Sequence, residues 1–395
     1  MWFSHIDYLA RVIGPRGSAT GAEAEAARYA GEQFERAGLA PQVERFRSAV
    51  SAWHPFALTM AVALGAVAVY PLAGRVTAAI ALVLITAVTV CALREINLLW
   101  NPLRLVLPKR ESQNVWAIVP PAGEPKRRVV LIGHLDSHRT PLLFRSLRWQ
   151  RLMHVIVPAG FLAMVAAVVL FAIGLATQAA AVYLIAVALA AVLAPVLLLM
   201  LQPDLTPYTH GANDNATGAG LLFTLAETLG DRSLRETEVW LVATGCEEVG
   251  CSGAIAFFNA QRNELRDAAV IVVDTVGGPA SGPCYFRSEG MVLRHRYDPG
   301  LLTLADAIAR ERPELGAYSR RMTEAYTEGL PAIQAGLRTL TLCGFTPEDE
   351  LPHWHQRTDT VEHIDRDVLA RNYAFVRELL QRIDGGAAQV GGRTP

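Results

Sequence analysis

Four stretches of the chain, 55–74, 76–93, 155–176 and 179–201, are apolar on every side, with neither the 3.6-residue nor the two-residue alternation of a half-buried element. Each approaches the roughly 20 residues that an α-helix needs to cross a hydrocarbon core of about 30 Å. Four such runs in tight pairs exceed what a soluble core of this size uses. Their joins, around 71–75 and at Thr177-Gln178, are short. The pattern predicts two transmembrane hairpins, covering 53–100 and 153–201. Trp53 and Trp100 stand near span ends, where interfacial aromatics collect.

The rest alternates differently. Short apolar segments at 114–119, 128–133, 238–243, 269–273 and 339–343 predict strands. Helical periodicity covers 22–37, 218–229, 252–264, 301–311 and 368–383, and "TGAE" at Thr20–Glu23 has the spacing of a capping box. Alternating strands and helices indicate an α/β sandwich on a largely parallel or mixed sheet. One α/β domain is therefore expected in three pieces, 1–52, 101–152 and 202–384, with a polar, disordered tail at 385–395.

A hairpin returns the chain to the side it left, so the three pieces share one face of the membrane. Near the spans that face carries Arg94, Arg104, Lys109, Arg110, Arg145, Arg148 and Arg151, whereas the opposite face has only Arg75. The positive-inside rule makes the large side cytoplasmic. No span contains an acidic residue, which disfavours transport.

Composition agrees with this division. Of 395 residues, 52% are apolar and 18% charged, and the excess of apolar residues is confined to the four runs. A formal net charge of −1 offers no field for nucleic acid. Five scattered cysteines without a CxxC pair suggest reduced thiols facing a cytosol. The amino-terminal stretch lacks the basic and apolar regions of a secretory signal.

Chemistry collects where strands end. After 128–133 comes "HLDSH", with His134 and Asp136; after 238–243 comes "TGCEEVG", with Glu247 and Glu248; strand 269–273 runs into Asp274. Asp214 lies in the turn "HGANDNATGAG", and His353 and His355 lie in "LPHWHQRTDTVEHID". A lone residue of this kind is usually structural. Several at one sheet edge supply imidazole and carboxylate, the ligands that zinc takes, and ligands bind beyond the carboxyl ends of such strands. There are enough for two metals, which need a bridging carboxylate. One of the paired glutamates can bind metal while its neighbour projects into the cleft. Asp136 can accept the other ring N–H of His134 and fix its tautomer.

"GHLDS", "GANDNATGAG", "CEEVGCSGA", "VVDTVGG" and "HQRTDTVEHID", in this order, resemble the co-catalytic zinc aminopeptidases of clan MH, a family that includes aminopeptidase Y and the bacterial leucyl aminopeptidases. The resemblance covers the chain outside the apolar runs. It implies a three-layer α/β/α sandwich with a mixed sheet, here interrupted by the two hairpins, and two zinc ions. His134 and Asp274 would hold one ion, Glu248 and His355 the other, and Asp214 would bridge them. Glu247 would be the general base for hydrolysis of a peptide or small amide by metal-bound hydroxide, with Asp136 behind His134. A strained peptide bond at Asp214-Asn215 is also implied. The segment "TEAYTEGLPA" departs from the family pattern, leaving Tyr326 as a candidate oxyanion contact. Related folds act as glutaminyl cyclases, or as protease-like binding proteins that have lost the metal ligands. The expectation is thus an integral membrane exopeptidase with four spans and a cytoplasmic catalytic domain.

Overall fold

A computed structural model describes residues 2–229 and 234–386; most of the expected tail, 387–395, lies outside the described residues. The chain divides into two compact units. Unit 1 comprises 1–50, 109–139 and 208–395, and unit 2 comprises 51–108 and 140–207.

Unit 1 is built on a nine-stranded sheet in the order β1-β2-β4-β3-β5-β9-β6-β7, with β8 beside β6. The strands are β1 (Gln42–Ala49), β2 (Lys109–Val119), β3 (Arg127–His134), β4 (Thr237–Thr244), β5 (Ala269–Asp274), β6 (Cys284–Glu289), β7 (His295–Arg296), β8 (Tyr318–Arg321) and β9 (Arg338–Cys343). The central four, β4, β3, β5 and β9, are parallel, while β1, β2 and β6 join antiparallel, so the sheet is mixed. Register pairs His134 with Thr244 and Asp274 with Cys343, which brings these strand ends to one edge.

Helices cover both faces. Val129 and Leu131 enter a core shared with α1 (Trp2–Asp7), α2 (Gly21–Arg36), α7 (Thr217–Leu229), α9 (Pro299–Glu311) and α11 (Arg366–Asp384). Alternate residues point the other way. On that side Trp116 of β2 meets Phe257 of α8 (Ser252–Ala260) edge-on, and α10 (Gly329–Gln334) packs against β9. This is the expected three-layer sandwich. The capping box forms in a modified way. Thr20 Oγ1 accepts the Glu23 N–H at 3.4 Å, but the Glu23 carboxylate accepts the Ala19 N–H at 3.0 Å, one residue further out. Strand β1 and the group β6–β8 were not expected. In β1 the exposed side is charged and the strand pairs only with β2, so its sequence lacks a core-strand pattern.

Unit 2 consists of α3 (His54–Val69), α4 (Gly74–Ile96), α5 (Leu147–Thr177) and α6 (Ala180–Leu201), with short connections. Three of them, α4, α5 and α6, are long and apolar enough to cross a membrane; α3 is a shorter apolar helix of 16 residues. This corrects the expectation of four full-length spans. The run 55–74 does not stay helical, because Pro71 has no N–H to donate and its ring collides with the carbonyl four residues earlier. Inside the unit Ala63, Ala66, Ala81, Ala92, Ala167 and Ala186 are fully buried beside larger side chains such as Ile85, Met164, Phe171 and Leu193. Tyr70 stacks on Phe171 at 4.9 Å. A Cβ at Gly174 would run into the Tyr70 hydroxyl and Val182, so only glycine fits there.

Candidate metal centre

The parallel strands aim their last residues at one place. His134 ends β3, Asp274 ends β5, and Glu247 and Glu248 follow β4 by three and four residues. Asp214 enters from the turn before α7, and His355 from the loop before α11. Two groups of potential ligands result, with ligand atoms within 4.8 Å of one another in each: His134, Asp214 and Asp274; and His138, Glu248 and His355. Asp214 joins the groups. Its Oδ1 is 3.2 Å from His134 Nε2 and its Oδ2 is 3.2 Å from His355 Nε2. His355 Nε2 is also 3.2 Å from Glu248 Oε2, and His134 Nε2 is 3.7 Å from Asp274 Oδ1.

The donor set fits a metal pair on its own terms. Glu248 Oε1 and Asp274 Oδ1 are buried without a hydrogen-bond partner. Leaving such oxygens unmet costs about 1–3 kcal/mol each, more when charged, and nitrogen and oxygen donors of this kind suit zinc. Without a cation the groups compete for protons. Burial would lower His134, but the carboxylates of Asp136, Asp214 and Asp274 around it raise it well above the usual imidazole value. His355 is pushed up to about 9 by Glu248 and Asp214, again against its burial. Asp214, between two histidines, is held well below the ordinary carboxylate range although burial opposes this. Burial, together with neighbouring Asp214, raises Glu248 to about 8. Burial raises Glu247 well above the usual glutamate value, helped by Glu248, Asp274 and Glu328.

The support around the site is as specific as the site. Asp136 accepts the backbone N–H groups of Glu247 at 3.0 Å and Glu248 at 3.2 Å, and Ser18 donates to it at 2.6 Å. The Asp136 carboxylate thus fixes the glutamate pair. His134 Nδ1 donates to the Asp136 backbone oxygen at 3.1 Å, with the carboxylate further off at 3.5 Å. Asp359 accepts the N–H groups of Asn213 at 2.6 Å and Asp214 at 3.1 Å. The Asp214–Asn215 peptide is cis. Asn215 ties this turn to the end of β5 by donating to Val273 O at 2.9 Å. His353 points elsewhere, hydrogen-bonded with Thr358 Oγ1 at 2.8 Å. Tyr326 is half-buried in the loop before α10.

Several residues that matter here were given no role at the site from sequence. Arg16 is fully buried and donates to five carbonyls, those of Leu9, Gly14, Leu135, His210 and Gly211, at 2.8–3.0 Å. Desolvation lowers it to about 10 even with Asp359, Asp136, Asp214 and Glu248 around it, so it remains a cation among the carboxylates. Gly211, at φ +59, leaves room for Arg16 and Ser137, which a Cβ would strike at 2.6–2.8 Å. Glu23 reaches from α2 to accept the Cys246 N–H at 2.8 Å. Glu328 is buried beside the site and hydrogen-bonded by Thr244. His138 stands in the quoted "HLDSH", and its imidazole four residues after His134 was the available signal.

Comparison with known proteins bears on the fold. Residues 190–380, which include Asp214, Glu247, Glu248, Asp274 and His355, match peptidase family M28. No curated protein matches the chain. Among solved structures it is similar to BSAP, a zinc aminopeptidase from Bacillus subtilis, with a TM-score of 0.57 at 14% identity over 97% of this chain and 94% of that one. It is similar to a leucine aminopeptidase precursor from Bacteroides thetaiotaomicron, with 0.56 at 14% over 96% and 95%. Glutaminyl cyclase from Tannerella forsythia gives 0.55 at 14% over 96% and 97%. At this identity the likeness is one of fold, and aminopeptidases and glutaminyl cyclases share it.

Proposed function

From its M28 peptidase segment and zinc-aminopeptidase fold, we propose that this chain is a two-zinc aminopeptidase anchored in a membrane. The observation that carries the reading is Asp214, whose two oxygens face the two histidines of separate ligand groups at equal distance. His134 and Asp274 would hold one zinc, Glu248 and His355 the other, and Asp214 would span both. Zinc at these positions supplies Lewis-acid polarisation of the scissile carbonyl and of the attacking water.

The protein's own groups do the rest. Glu247 neighbours the ligand Glu248, and its N–H is fixed by Asp136. Its raised proton affinity suits a group that takes a proton from water and passes it to the leaving amine. Asp136 holds His134 and both glutamates in register, and Arg16 offsets part of the crowded negative charge.

Unit 2 supports the membrane reading. Alanines such as Ala63, Ala81, Ala167 and Ala186 are fully buried where its helices meet, although Ile85, Met164, Phe171 and Leu193 are buried as well, while Leu162, Leu184 and Leu198 are 67–71% exposed. Small residues inside and large apolar ones outside are what helices packing in lipid show. Each apolar insertion leaves and re-enters unit 1, so the number of crossings per insertion is even. The 16 residues of α3 rise about 24 Å, and α3 completes its hairpin beside the longer α4. Charge near the helix ends favours a cytoplasmic position for unit 1.

The test is metal analysis of detergent-purified protein, coupled to digestion of a dipeptide library with and without chelator. Two zinc ions per chain and chelator-sensitive release of amino-terminal residues are expected. About one metal per chain with pyroglutamate formation from glutaminyl peptides would replace the reading with a cyclase. A label on the 71–73 turn that reacts only from the cytoplasm would overturn the orientation.

A further inference from the structure

Strands β1 and β2 form a ribbon that outruns the rest of the sheet. Pairing between β2 and β4 stops at Val115–Ala243. Pairing between β1 and β2 continues beyond it, from Glu44–Asn114 to Ala49–Lys109. At about 3.3 Å per residue the ribbon projects roughly 20 Å past its last contact with β4. Its inner face is fixed within unit 1. Asn114 donates to Gly253 O at 2.9 Å, and Ser112 Oγ donates to Glu23 at 2.8 Å. Phe46 packs against Cys246 and Val249, on either side of Glu247 and Glu248.

The projecting part is rich in unmet positive charge. Arg45, Arg47, Lys109 and Arg110 are exposed, and among the described residues none of their side chains forms an ion pair or a hydrogen bond. Two acids share the ribbon: Glu44, which accepts from Asn114 at 2.9 Å, and Glu111, opposite Arg47 in the register. From the free end both strands run on into apolar chain. Helix α3 begins at His54, soon after Ala49. The segment before Lys109 exposes Leu99, Trp100, Leu105 and Val106 at 39–74%.

Unpaired cations on a fixed ribbon, where the chain turns apolar, match the headgroup layer of an anionic bilayer. Each basic residue held at such a surface strengthens binding by about 5-fold, and the attraction fades within a Debye length. We propose that the free end of the β1–β2 ribbon is a lipid-docking surface, held on anionic headgroups by Arg45, Arg47, Lys109 and Arg110. The inference rests on the membrane reading above.

The chain has only two lysines, Lys109 on the ribbon and Lys126, so one is a control for the other. Lys126 lies just before β3 and pairs with Glu236, and its side chain is 62% exposed. Full-length protein is reconstituted in nanodiscs of phosphatidylcholine, with or without an equal share of phosphatidylserine. It is then acetylated with an uncharged amine reagent, and mass spectrometry reads the ratio of Lys109 to Lys126 modification. Phosphatidylserine should lower that ratio by at least about 5-fold, and high salt should restore it. The double variant Arg45→Gln, Arg47→Gln should lose most of the drop while melting like wild type, because neither arginine has a partner to lose. Arg45→Lys, Arg47→Lys should keep the drop. A ratio unmoved by phosphatidylserine, or a drop that survives in the glutamine variant, would overturn the inference. Wild-type protein that stays in solution without detergent would instead overturn the membrane reading itself.

Discussion

The two units of this chain solve opposite problems. Unit 1 buries charge: Arg16, Glu23, Asp136, Asp214, Glu289, Glu328 and Asp359 are each 4% exposed or less. Unit 2 does the reverse, exposing Val76, Val83, Leu162, Leu184 and Leu198 at 66–71%. Outside unit 2, the large exposed apolar side chains among the described residues are only Val12, Val43, Val292 and Leu293. Charge is costly to bury unless it is paired or binds metal, and apolar surface is costly to expose unless water is absent. On the proposed reading, metal ions would offset that cost in unit 1 and lipid in unit 2.

The sharpest way to break this comparison is to remove a charge with a metal-binding role. Glu248→Ala should weaken one zinc site by more than about 100-fold, beyond the range for residues that only support ligands, measured by chelator competition. Arg16→Met comes next. It strands the carbonyls of Leu9, Gly14, Leu135, His210 and Gly211 and removes the buried cation. About 3–5 kcal/mol of lost stability in denaturant melts is expected, as when a buried charge loses its compensation.

A smaller effect separates the units more cleanly. Leu184→Lys, on an exposed position of α6, should disfavour membrane insertion by about 2.5–3.5 kcal/mol if it lies near the bilayer centre. Val43→Lys, equally apolar and 61% exposed in unit 1, should change nothing. Equal tolerance of both in an insertion assay would remove the lipid from the account.

The least dramatic test is pH. In metal-stripped protein, burial holds Glu23 up at about 8 and Glu289 and Glu328 up at about 7. Each folded carboxyl keeps its proton where the unfolded one has lost it. Its favourable contribution is complete below the ordinary glutamate value and is lost as pH rises through the folded value. His355, raised to about 9, acts in the same direction, with its contribution complete below the usual imidazole value. The metal-free melting temperature should therefore fall from pH 5 to pH 9, and zinc should reduce that slope. A melting temperature that rises across this range would contradict the assignment of buried, proton-holding carboxyls.

Much of the architecture was legible because core strands and apolar runs have patterns that depend on few neighbours. The central strands carry continuous apolar segments, so their existence and their polar ends could be read directly. Strand β1 could not, since "QVERFRSA" alternates weakly and its place depends on pairing with β2, more than 60 residues away. The turn after α3 was read near 71–75, but the shorter helix was not, because the run stays apolar through Gly74. At the site, the residues with conspicuous chemistry stood out at strand ends. Arg16 and Asp359 did not, because both act on backbone groups across long separations: Arg16 on His210, Asp359 on Asn213. Neither partnership leaves a local trace.

The central claim is that the adjacent glutamates have separate tasks in a two-zinc site, and Glu247→Ala tests it most directly. Zinc content and aminopeptidase turnover are measured on one preparation of the full-length variant, beside wild type. The account predicts two zinc ions per chain and turnover reduced by about 10²–10⁴-fold, the usual worth of a positioned general base. Wild-type turnover in Glu247→Ala would contradict it.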